Sequence, residues 1–307
     1  MALSLTADHS LGIEIAADAA GLTGRWLPRD LPAPSSPHRA LITVAIGAPR
    51  QVPESAPTLR VGPVRGWLGD GHLLLYGARA GGDVDLSRGR AELRVTPEGG
   101  AETEMDLYGM LTISAGVLLA GLGRALIHGA AAAPPGPGGA WVLLGDSGSG
   151  KSTTCATLAR AGWRYLSDDQ VILGPADRGL TVEGWVRPFH LDGGWSEGAP
   201  TGDRRSCDPL ELFPGGRLRV APLAGLLLPQ VAGGKVTQLS PADPAEALAE
   251  LVRQSPWVLL DRGAAPRLLE LLNTAASRCR PPRRLVLGVD SYGVPDRMSS
   301  VPASLAE

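Results

Sequence analysis

The stretch Gly145–Ser152, with the sequence GDSGSGKS, constrains the fold of this chain more than any other segment. It matches the pattern Gly-x-x-x-x-Gly-Lys-Ser/Thr in full, and it lies between the apolar stretch Ala140–Leu144 and a helix-forming stretch at about 151–161. Glycines in such a loop allow backbone angles that turn successive amide groups inward, and the N-terminus of the following helix adds partial positive charge. The pattern therefore predicts an α/β fold in which a strand, a phosphate-binding loop and a helix follow one another.

Residue types within this segment predict separate contacts with a nucleoside triphosphate. Lys151 is expected to reach the β- and γ-phosphates, and Ser152 is expected to offer its hydroxyl to Mg²⁺. Lys151 and Lys235 are the two lysines among 29 basic residues, and a planar guanidinium fits poorly inside such a loop. A glycine-rich turn that only caps a helix is the alternative. The expected phosphate-binding residues are Gly145, Asp146, Ser147, Gly148, Ser149, Gly150, Lys151, Ser152 and Thr153.

Two adjacent carboxylates follow the next predicted strand. Asp168 and Asp169 come directly after the stretch Arg164–Ser167. Because ligands of parallel α/β sheets lie at the carboxyl ends of the strands, both side chains are expected near the phosphates. Adjacent residues of a strand face opposite ways, so one carboxylate can meet a metal ion while the other contacts a different group. A solvated acidic turn is the alternative.

His128 is placed near the same loop by a predicted β-hairpin. The apolar stretches Leu126–Ala133 and Ala140–Leu144 are predicted strands, and they flank the turn Pro134–Gly139, which has the sequence PPGPGG. If Ala133 pairs with Ala140 across this turn, His128 lies opposite Gly145, where the loop begins. A slip of one residue would turn the imidazole to the other face of the sheet. A histidine hydrogen-bonded within the sheet is the alternative.

Charge and composition exclude several classes of partner. With a net charge of −2 and 4% aromatic residues, the chain lacks the basic field and the stacking aromatics of a nucleic-acid-binding protein. The most apolar stretch, Gly109–Ile127, includes Arg124 and is shorter than the about 20 apolar residues of a membrane span. Three distant cysteines and an N-terminus without a signal-peptide pattern favour a cytoplasmic protein. Candidate charge clamps for the triphosphate or the acceptor are Arg187, Arg204 and Arg205.

The remaining elements follow from hydrophobic spacing and turn residues. The segment Met105–Ile127 has apolar residues at helical spacing and predicts a buried helix. The segment Asp192–Asp208 predicts a long polar loop. Further predicted strands are Leu11–Ala16, Ala40–Ile46, His72–Tyr76, Ala91–Val95, Leu223–Leu228 and 284–289, and further predicted helices lie at about 244–254 and 264–276.

Three consecutive features of the sequence resemble the catalytic domain of HPr kinase/phosphorylase. They are His128-Gly129 before the hairpin, the octapeptide Gly145–Ser152, and the stretch Gly162–Asp169, with the sequence GWRYLSDD. The chain is most similar to the shorter HPr-kinase-like proteins, which include lasso-peptide tailoring kinases. The similarity covers about residues 120–175, and it becomes loose up to about residue 230.

This resemblance implies an α/β P-loop domain with a mixed sheet, related to that of phosphoenolpyruvate carboxykinase, at 104–295, with an N-terminal domain of different origin before it. The similarity does not extend to residues 1–100, where the short predicted strands indicate a β-rich domain at 1–103. The tail at 296–307 is expected to fray. The implied roles are a proton-accepting Asp168, a magnesium site of Ser152 and Asp169, and a His128 that supports the transferring group. The stretch at 183–188 only faintly matches the Glu-x-x-Arg-Gly sequence of the bifunctional members. The resemblance therefore implies the use of a nucleotide as phosphoryl donor, but it does not identify the acceptor.

Together these features predict a kinase that uses ATP and Mg²⁺. The γ-phosphoryl group would pass to a hydroxyl, with serine favoured, on a peptide, a small protein or a small metabolite. The alternatives are a nucleotide-sensing regulatory module, a plain NTPase and a carboxykinase-like enzyme that acts on an organic acid. The sequence does not decide whether the chain forms a homo-oligomer.

Overall fold

The computed structural model describes residues 1–307 except 23–26, 50, 98–99, 196–200, 232–233, 235, 289, 291–304 and 306–307. Internal contacts divide the chain into two compact units. The first consists of Met1–Gly123 and Trp257–Ala265, and the second consists of Arg124–Pro256 and Pro266–Glu307. The domain boundary expected at 103/104 stays a prediction, and most of the expected tail at 296–307 lies outside the described residues.

The first unit contains a β-sheet with the strand order β1-β2-β3-β8-β7-β6-β5-β4. The pairs β2–β3 and β3–β8 are parallel and the other neighbours are antiparallel, so the sheet is mixed. The strands are β1 (Ala2–Ser4), β2 (Leu11–Ile15), β3 (Ala40–Ile46), β4 (Leu59–Val61), β5 (Val64–Gly69), β6 (His72–Tyr76), β7 (Ala80–Asp85) and β8 (Arg90–Val95). The expected β-rich N-terminal part is confirmed.

Helix α1 (Ala101–Gly121) packs against this sheet and contacts β2, β3, β5, β7 and β8. The helix begins and ends earlier than the predicted Met105–Ile127. It stops because Gly123 takes a positive φ of 75°, a conformation that ends a helix, and a new strand starts at Ala125. No helix in the described part of the chain is both long enough and apolar enough to cross a membrane.

The second unit is an α/β structure around another mixed sheet. Its strand order is β12-β10-β11-β17-β14-β13-β9, and β19 lies beside both β17 and β18. The pairs β11–β17 and β17–β19 are parallel. The strands of this unit are β9 (Ala125–His128), β10 (Ala130–Ala133), β11 (Ala140–Leu143), β12 (Arg164–Ser167), β13 (Gln170–Pro175), β14 (Leu180–Gly184), β15 (Phe189–Asp192), β16 (Arg204–Cys207), β17 (Val220–Val231), β18 (Gln238–Pro241) and β19 (Arg280–Leu287). The helices are α2 (Lys151–Arg160), α3 (Pro209–Leu212), α4 (Pro244–Arg253) and α5 (Ala265–Ser277).

The predicted hairpin register is confirmed between β10 and β11. Ala131 pairs with Val142, and both neighbouring pairs keep the register that a pairing of Ala133 with Ala140 requires. The extension of this register to His128 is wrong, because the chain changes its strand partner at Gly129. His128 ends β9, which pairs with β13 on the far side of the sheet order. His128 therefore lies opposite Gln170 instead of Gly145.

The segment 189–207 forms more structure than the predicted polar loop. Strands β15 and β16 form an antiparallel pair, and residues 196–200 between them lie outside the described residues. Phe189 and Leu191 alternate into the apolar core beside α2, and this burial holds β15 in place. The Asp192 carboxylate accepts hydrogen bonds from the amides of Thr201 and Gly202, at 2.7 and 2.6 Å, which orders the approach to β16.

Candidate functional site

The glycine-rich loop, residues 144–150, joins β11 to α2 and begins the candidate site. Gly150 precedes α2 in the left-handed conformation, with φ of 98°, and no side chain caps the helix. The first-turn amides of α2, from Lys151 to Thr153, therefore have neither an intrahelical carbonyl nor a capping side chain as acceptor. Ser147 and Gly148 are exposed at the tip of the loop. Such a loop offers backbone donors and partial positive charge to an anion.

Lys151 lies inside this loop and is 7% exposed. Its Nζ donates hydrogen bonds to the carbonyl oxygens of Gly145 and Asp146, at 2.6 and 3.1 Å. Burial lowers the pKa of the Lys151 ammonium, and the nearby carboxylates of Asp168, Asp169 and Asp146 oppose this shift. A cation is thus held at the base of the loop, where an anionic ligand could replace the backbone carbonyls.

Asp168 follows β12 and is buried, with 6% exposure. The Ser152 hydroxyl hydrogen-bonds to its side chain. Burial is the main cause that raises the pKa of Asp168 to about 7; the Asp169 charge acts in the same direction, while Ser152, Lys151 and His128 oppose the shift. The Oδ1 atom is buried and has no hydrogen-bond partner among the described residues. A buried carboxylate oxygen without a partner is costly, so this position suits a cation.

Asp169 turns away from Asp168 and pairs with His128. The imidazole Nδ1 lies 3.0 Å from Asp169 Oδ1 and 3.0 Å from the Asp169 carbonyl oxygen. Both side chains reach solvent, with exposures of 39% for His128 and 26% for Asp169. The His128 amide donates to the Gln254 carbonyl at 2.8 Å, and the Gly129 amide donates to the Asp169 carbonyl at 3.0 Å. The backbone therefore fixes this pair from both sides.

Ser167, the last residue of β12, directs the two carboxylates apart. Its hydroxyl accepts hydrogen bonds from the amides of Asp169 and Gln170, at 3.2 and 3.0 Å, and donates one to the Trp185 carbonyl at 2.8 Å. These bonds close a tight turn between β12 and β13. Asp168 is thus aimed at Ser152, and Asp169 is aimed at β9. The contribution of Ser167 was not foreseen, although a serine just before two acidic residues is a known turn signal.

The last turn of α4 also reaches the loop, which the sequence did not indicate. Arg253 Nε lies 3.6 Å from Asp146 Oδ1, and the guanidinium also hydrogen-bonds to Glu250. Gln254 Nε2 donates to Glu250 Oε1 at 2.8 Å. These side chains border the glycine-rich loop on the side of the His128 backbone contact. Because Arg253 and Gln254 are far from the loop in the sequence, no local sequence pattern could have identified them as part of the site.

The structure does not bring all predicted candidates together. Arg204 and Arg205 lie on β16, where Arg205 Nε is 3.5 Å from Asp203 Oδ2, and Arg187 lies between β14 and β15. The Ser149 hydroxyl is buried without a hydrogen-bond partner among the described residues, and the Thr153 carbonyl accepts a bond from Thr157. Within the described residues, no group of three or more His, Cys, Asp or Glu side chains could hold a metal ion. A metal ion here would need hydroxyl, water or ligand oxygens as well.

Comparison with models of known protein families gives no match, and no curated protein matches the chain. The resemblance to HPr-kinase-like proteins therefore stays a prediction based on the sequence features described above. The site itself, with its loop, lysine, hydroxyl, two carboxylates and imidazole, is the basis for assigning a function.

Proposed function

We propose that this chain is a P-loop kinase of the HPr-kinase-like type, which transfers the γ-phosphoryl group of Mg-ATP to a hydroxyl. The favoured acceptor is a serine of a peptide or small protein, and a small metabolite is the other class. The observation that carries the proposal is the convergence of Lys151, Ser152, Asp168 and the Asp169–His128 pair around one glycine-rich loop. Three free cysteines support a reducing, cytoplasmic location.

The loop and α2 have the features that a triphosphate needs. The first-turn amides of α2 would donate to the phosphate oxygens, and the helix N-terminus adds partial positive charge. Lys151 would leave the carbonyls of Gly145 and Asp146 and bind the β- and γ-phosphates. This exchange replaces two neutral acceptors with an anion, which is favourable for an ammonium whose pKa is lowered by burial.

The residues present also fit Mg²⁺. The Ser152 hydroxyl adjoins the Asp168 carboxylate, whose Oδ1 is buried without a hydrogen-bond partner. Mg²⁺ prefers oxygen ligands and is held in nucleotide sites by one or two carboxylates, substrate phosphates and water. The bound ion would neutralise charge on the β- and γ-phosphate oxygens.

The second carboxylate favours a kinase over a pure nucleotide sensor. A sensor needs a residue that holds the metal, but it has no use for a group that accepts a proton. Here a second carboxylate, Asp169, lies in contact with His128 and is open to solvent. Phosphoryl transfer depends mainly on positioning and charge neutralisation, so one proton acceptor beside the loop completes the machinery.

The test uses ATP labelled at the γ-phosphate, Mg²⁺ and an extract or peptide products from the source cell. Wild type, Lys151→Ala and Arg178→Ala are compared by mass spectrometry. Arg178→Ala is the matched control, because it removes a positive charge from an exposed turn between β13 and β14. We expect one labelled acceptor with wild type and the control. Lys151→Ala should bind ATP about 10- to 100-fold more weakly, since it loses charge-assisted hydrogen bonds.

Other outcomes would favour the other classes of protein. Normal ATP binding without a labelled acceptor and without released phosphate would indicate a sensor. Rapid phosphate release without an acceptor would indicate a plain NTPase. Turnover that requires an added organic acid would indicate a carboxykinase-like enzyme.

A further inference from the structure

An apolar surface adjoins the last glycine of the glycine-rich loop. A Cβ atom added at Gly150 would lie 2.5 Å from Leu287 Cδ1 and 3.3 Å from Val231 Cγ2, so both side chains contact this glycine. Val231 is 59% exposed, and Val236, which precedes β18, is 63% exposed. We call Val231, Val236 and Leu287 the apolar shelf. Exposed apolar side chains are ordinary when scattered, whereas neighbours beside a phosphate-binding loop indicate a ligand surface.

The apolar shelf exists because β17 and β19 continue beyond the end of β11. Leu143, the last residue of β11, pairs with Leu227, and β17 then continues through residues 228–231. Four residues at about 3.3 Å each carry the strand about 13 Å past the point where the glycine-rich loop begins. Val231 pairs with Leu287 in parallel register, so their side chains lie side by side on one face of the sheet.

Hydrogen bonds hold the outer edge of the apolar shelf to the end of β19. The Thr237 amide and hydroxyl both donate to Asp290 Oδ1, at 2.9 and 2.8 Å, and the Gly288 amide donates to the Thr237 hydroxyl oxygen at 3.0 Å. A Cβ atom added at Gly288 would lie 2.6 Å from the carbonyl carbon of Val236. The backbone of Val236 therefore lies directly against the residue that follows Leu287.

The strand order places the apolar shelf and the carboxylates on opposite sides of the loop. Asp168 follows β12, which is separated from β11 by β10, whereas β17 and then β19 lie on the other side of β11. Ligands of α/β sheets lie at the carboxyl ends of strands, and Val231 and Leu287 are the last residues of β17 and β19. A triphosphate whose γ-phosphate lies beside Asp168 therefore directs its nucleoside towards β17 and β19.

We propose that the apolar shelf is the nucleobase subsite, where the aliphatic side chains of Val231, Val236 and Leu287 cover one face of the purine ring. This inference rests on the proposed use of a nucleoside triphosphate. Removal of the ring face and these methyl groups from water would drive base binding, whereas charges and amide groups bind the phosphates. The two halves of the nucleotide are therefore held by different forces, and their contributions can be measured separately.

The first test compares Val231→Thr with Val52→Thr in the full chain. Both changes replace one methyl group of an exposed valine with a hydroxyl, and Val52 belongs to the first unit. The probes are a non-hydrolysable ATP analogue and tripolyphosphate, each titrated with Mg²⁺ by calorimetry. We expect Val231→Thr to weaken binding of the ATP analogue by about 5- to 20-fold, because the base would cover a hydroxyl that prefers water. Val52→Thr should leave the affinity for both probes unchanged.

Tripolyphosphate distinguishes a contact with the base from an effect on the loop. It lacks a nucleoside, so Val231→Thr should change its affinity by less than about twofold. Equal weakening of both probes would mean that Val231 only supports Gly150, and it would overturn the subsite. Unchanged binding of both probes would overturn it as well.

Nuclear magnetic resonance of methyl-labelled valine and leucine residues locates the base directly. In the complex with the ATP analogue, we expect nuclear Overhauser effects between the purine protons and the methyl groups of Val231 and Leu287. The Val231 signals are assigned by their disappearance in Val231→Thr. Purine contacts with other methyl groups, and none with the apolar shelf, would overturn the proposal.

Failure of the kinase function would look different from failure of the subsite. Transfer to an acceptor, with purine contacts outside the apolar shelf, would overturn this inference and leave the kinase function intact. Purine contacts on the apolar shelf without transfer to any acceptor would support the subsite and overturn the kinase function. If wild type bound neither the ATP analogue nor tripolyphosphate, both proposals would be wrong.

Discussion

At the scale of single residues, Asp168 is the group whose ionisation is most costly in the candidate site. Burial raises its pKa from an ordinary value of 3.8 to about 7 in the folded chain. The folded state therefore keeps a proton that the unfolded chain releases above about pH 4. The stabilising effect of this proton is complete below the unfolded pKa, and it is lost as the pH rises towards the folded pKa.

This linkage predicts that Asp168→Asn stabilises the metal-free, nucleotide-free protein, and does so more at pH 8 than at pH 5. The amide cannot ionise, so the variant avoids the cost that wild type meets at higher pH. Over this range the gain in unfolding free energy should grow by about 2–3 kcal/mol. Thermal melting in chelator-containing buffer at the two pH values measures it.

Asp177→Asn is the control for this prediction, because Asp177 lies in the exposed turn between β13 and β14. Its effect on the melting temperature should be the same at both pH values. An equal effect of Asp168→Asn at pH 5 and pH 8 would show that Asp168 is ionised in the folded protein throughout this range.

The residues of the site could be predicted from the sequence better than their pairing could. The octapeptide identifies Lys151 and Ser152, and strand ends identify Asp168 and Asp169. Which carboxylate faces Ser152 depends on a single residue of register at the end of β12, and there Ser167 closes the turn. The spacing of apolar residues cannot decide which of the two aspartates faces Ser152, because they are adjacent and chemically identical.

At the scale of secondary structure elements, Gly129 separates β9 from β10 and so positions His128. A Cβ atom added at Gly129 would lie 2.9 Å from the Leu143 carbonyl oxygen, which belongs to the backbone of β11. The backbones approach closely here because the residue has no side chain. This contact lets the chain leave one strand partner and join another within one residue.

We predict that Gly129→Ala lowers the unfolding free energy by about 1–3 kcal/mol, the usual cost of forcing an extra methyl group into a packed site. The methyl group would press against a sheet backbone, which yields less readily than a side chain. Chemical denaturation measures the change, and hydrogen exchange of the Gly129 amide reports on its bond to Asp169.

Gly121→Ala provides a comparison of opposite sign. Gly121 ends α1 and has no atom within 4 Å of an added Cβ, so alanine should stabilise the helix by about 0.5–1 kcal/mol. A Gly129→Ala variant as stable as wild type would mean that the backbone at Gly129 can move away from Leu143 without cost.

Most strands were predictable because each has its own turn signals and apolar alternation. The predicted strands Ala40–Ile46 and His72–Tyr76 agree with β3 and β6 at both ends. The β9–β10 region was predicted as one strand, because Leu126–Ala133 is apolar almost throughout and Gly129 alone marks the break. Strand partners are set by contacts between distant segments, which local propensity does not encode.

At the scale of the whole molecule, the chain returns to its first unit after completing most of the second. Residues Trp257–Ala265 belong with Met1–Gly123. Trp257, in the 3₁₀ helix Pro256–Leu259, is 2% exposed and lies against Gly116 of α1. A Cβ added at Gly116 would be 2.6 Å from the indole ring. Neither residue has a local pattern that predicts this contact, since the partners are far apart in the chain.

We therefore predict that Trp257→Ala lowers the unfolding free energy by about 3–5 kcal/mol, the usual cost of removing a buried aromatic side chain. Hydrogen exchange of the α1 amides should reveal the loss, because the helix would face a cavity where the indole was. Leu259→Ala, in the same 3₁₀ helix but 53% exposed, should change stability by less than about 0.5 kcal/mol.

A double-variant cycle distinguishes a close contact between Trp257 and Gly116 from a general effect of losing the indole. Gly116→Ala should be destabilising in wild type, because its methyl group collides with the ring. In the Trp257→Ala background the same change should be neutral or stabilising, since the collision is gone and alanine favours the helix. Equal effects of Gly116→Ala in both backgrounds would mean that the returning segment does not press on α1. A change of sign would show that Trp257 packs tightly on α1 as part of the first unit. Dividing the chain at a single point would then separate residues 257–265 from the rest of that unit.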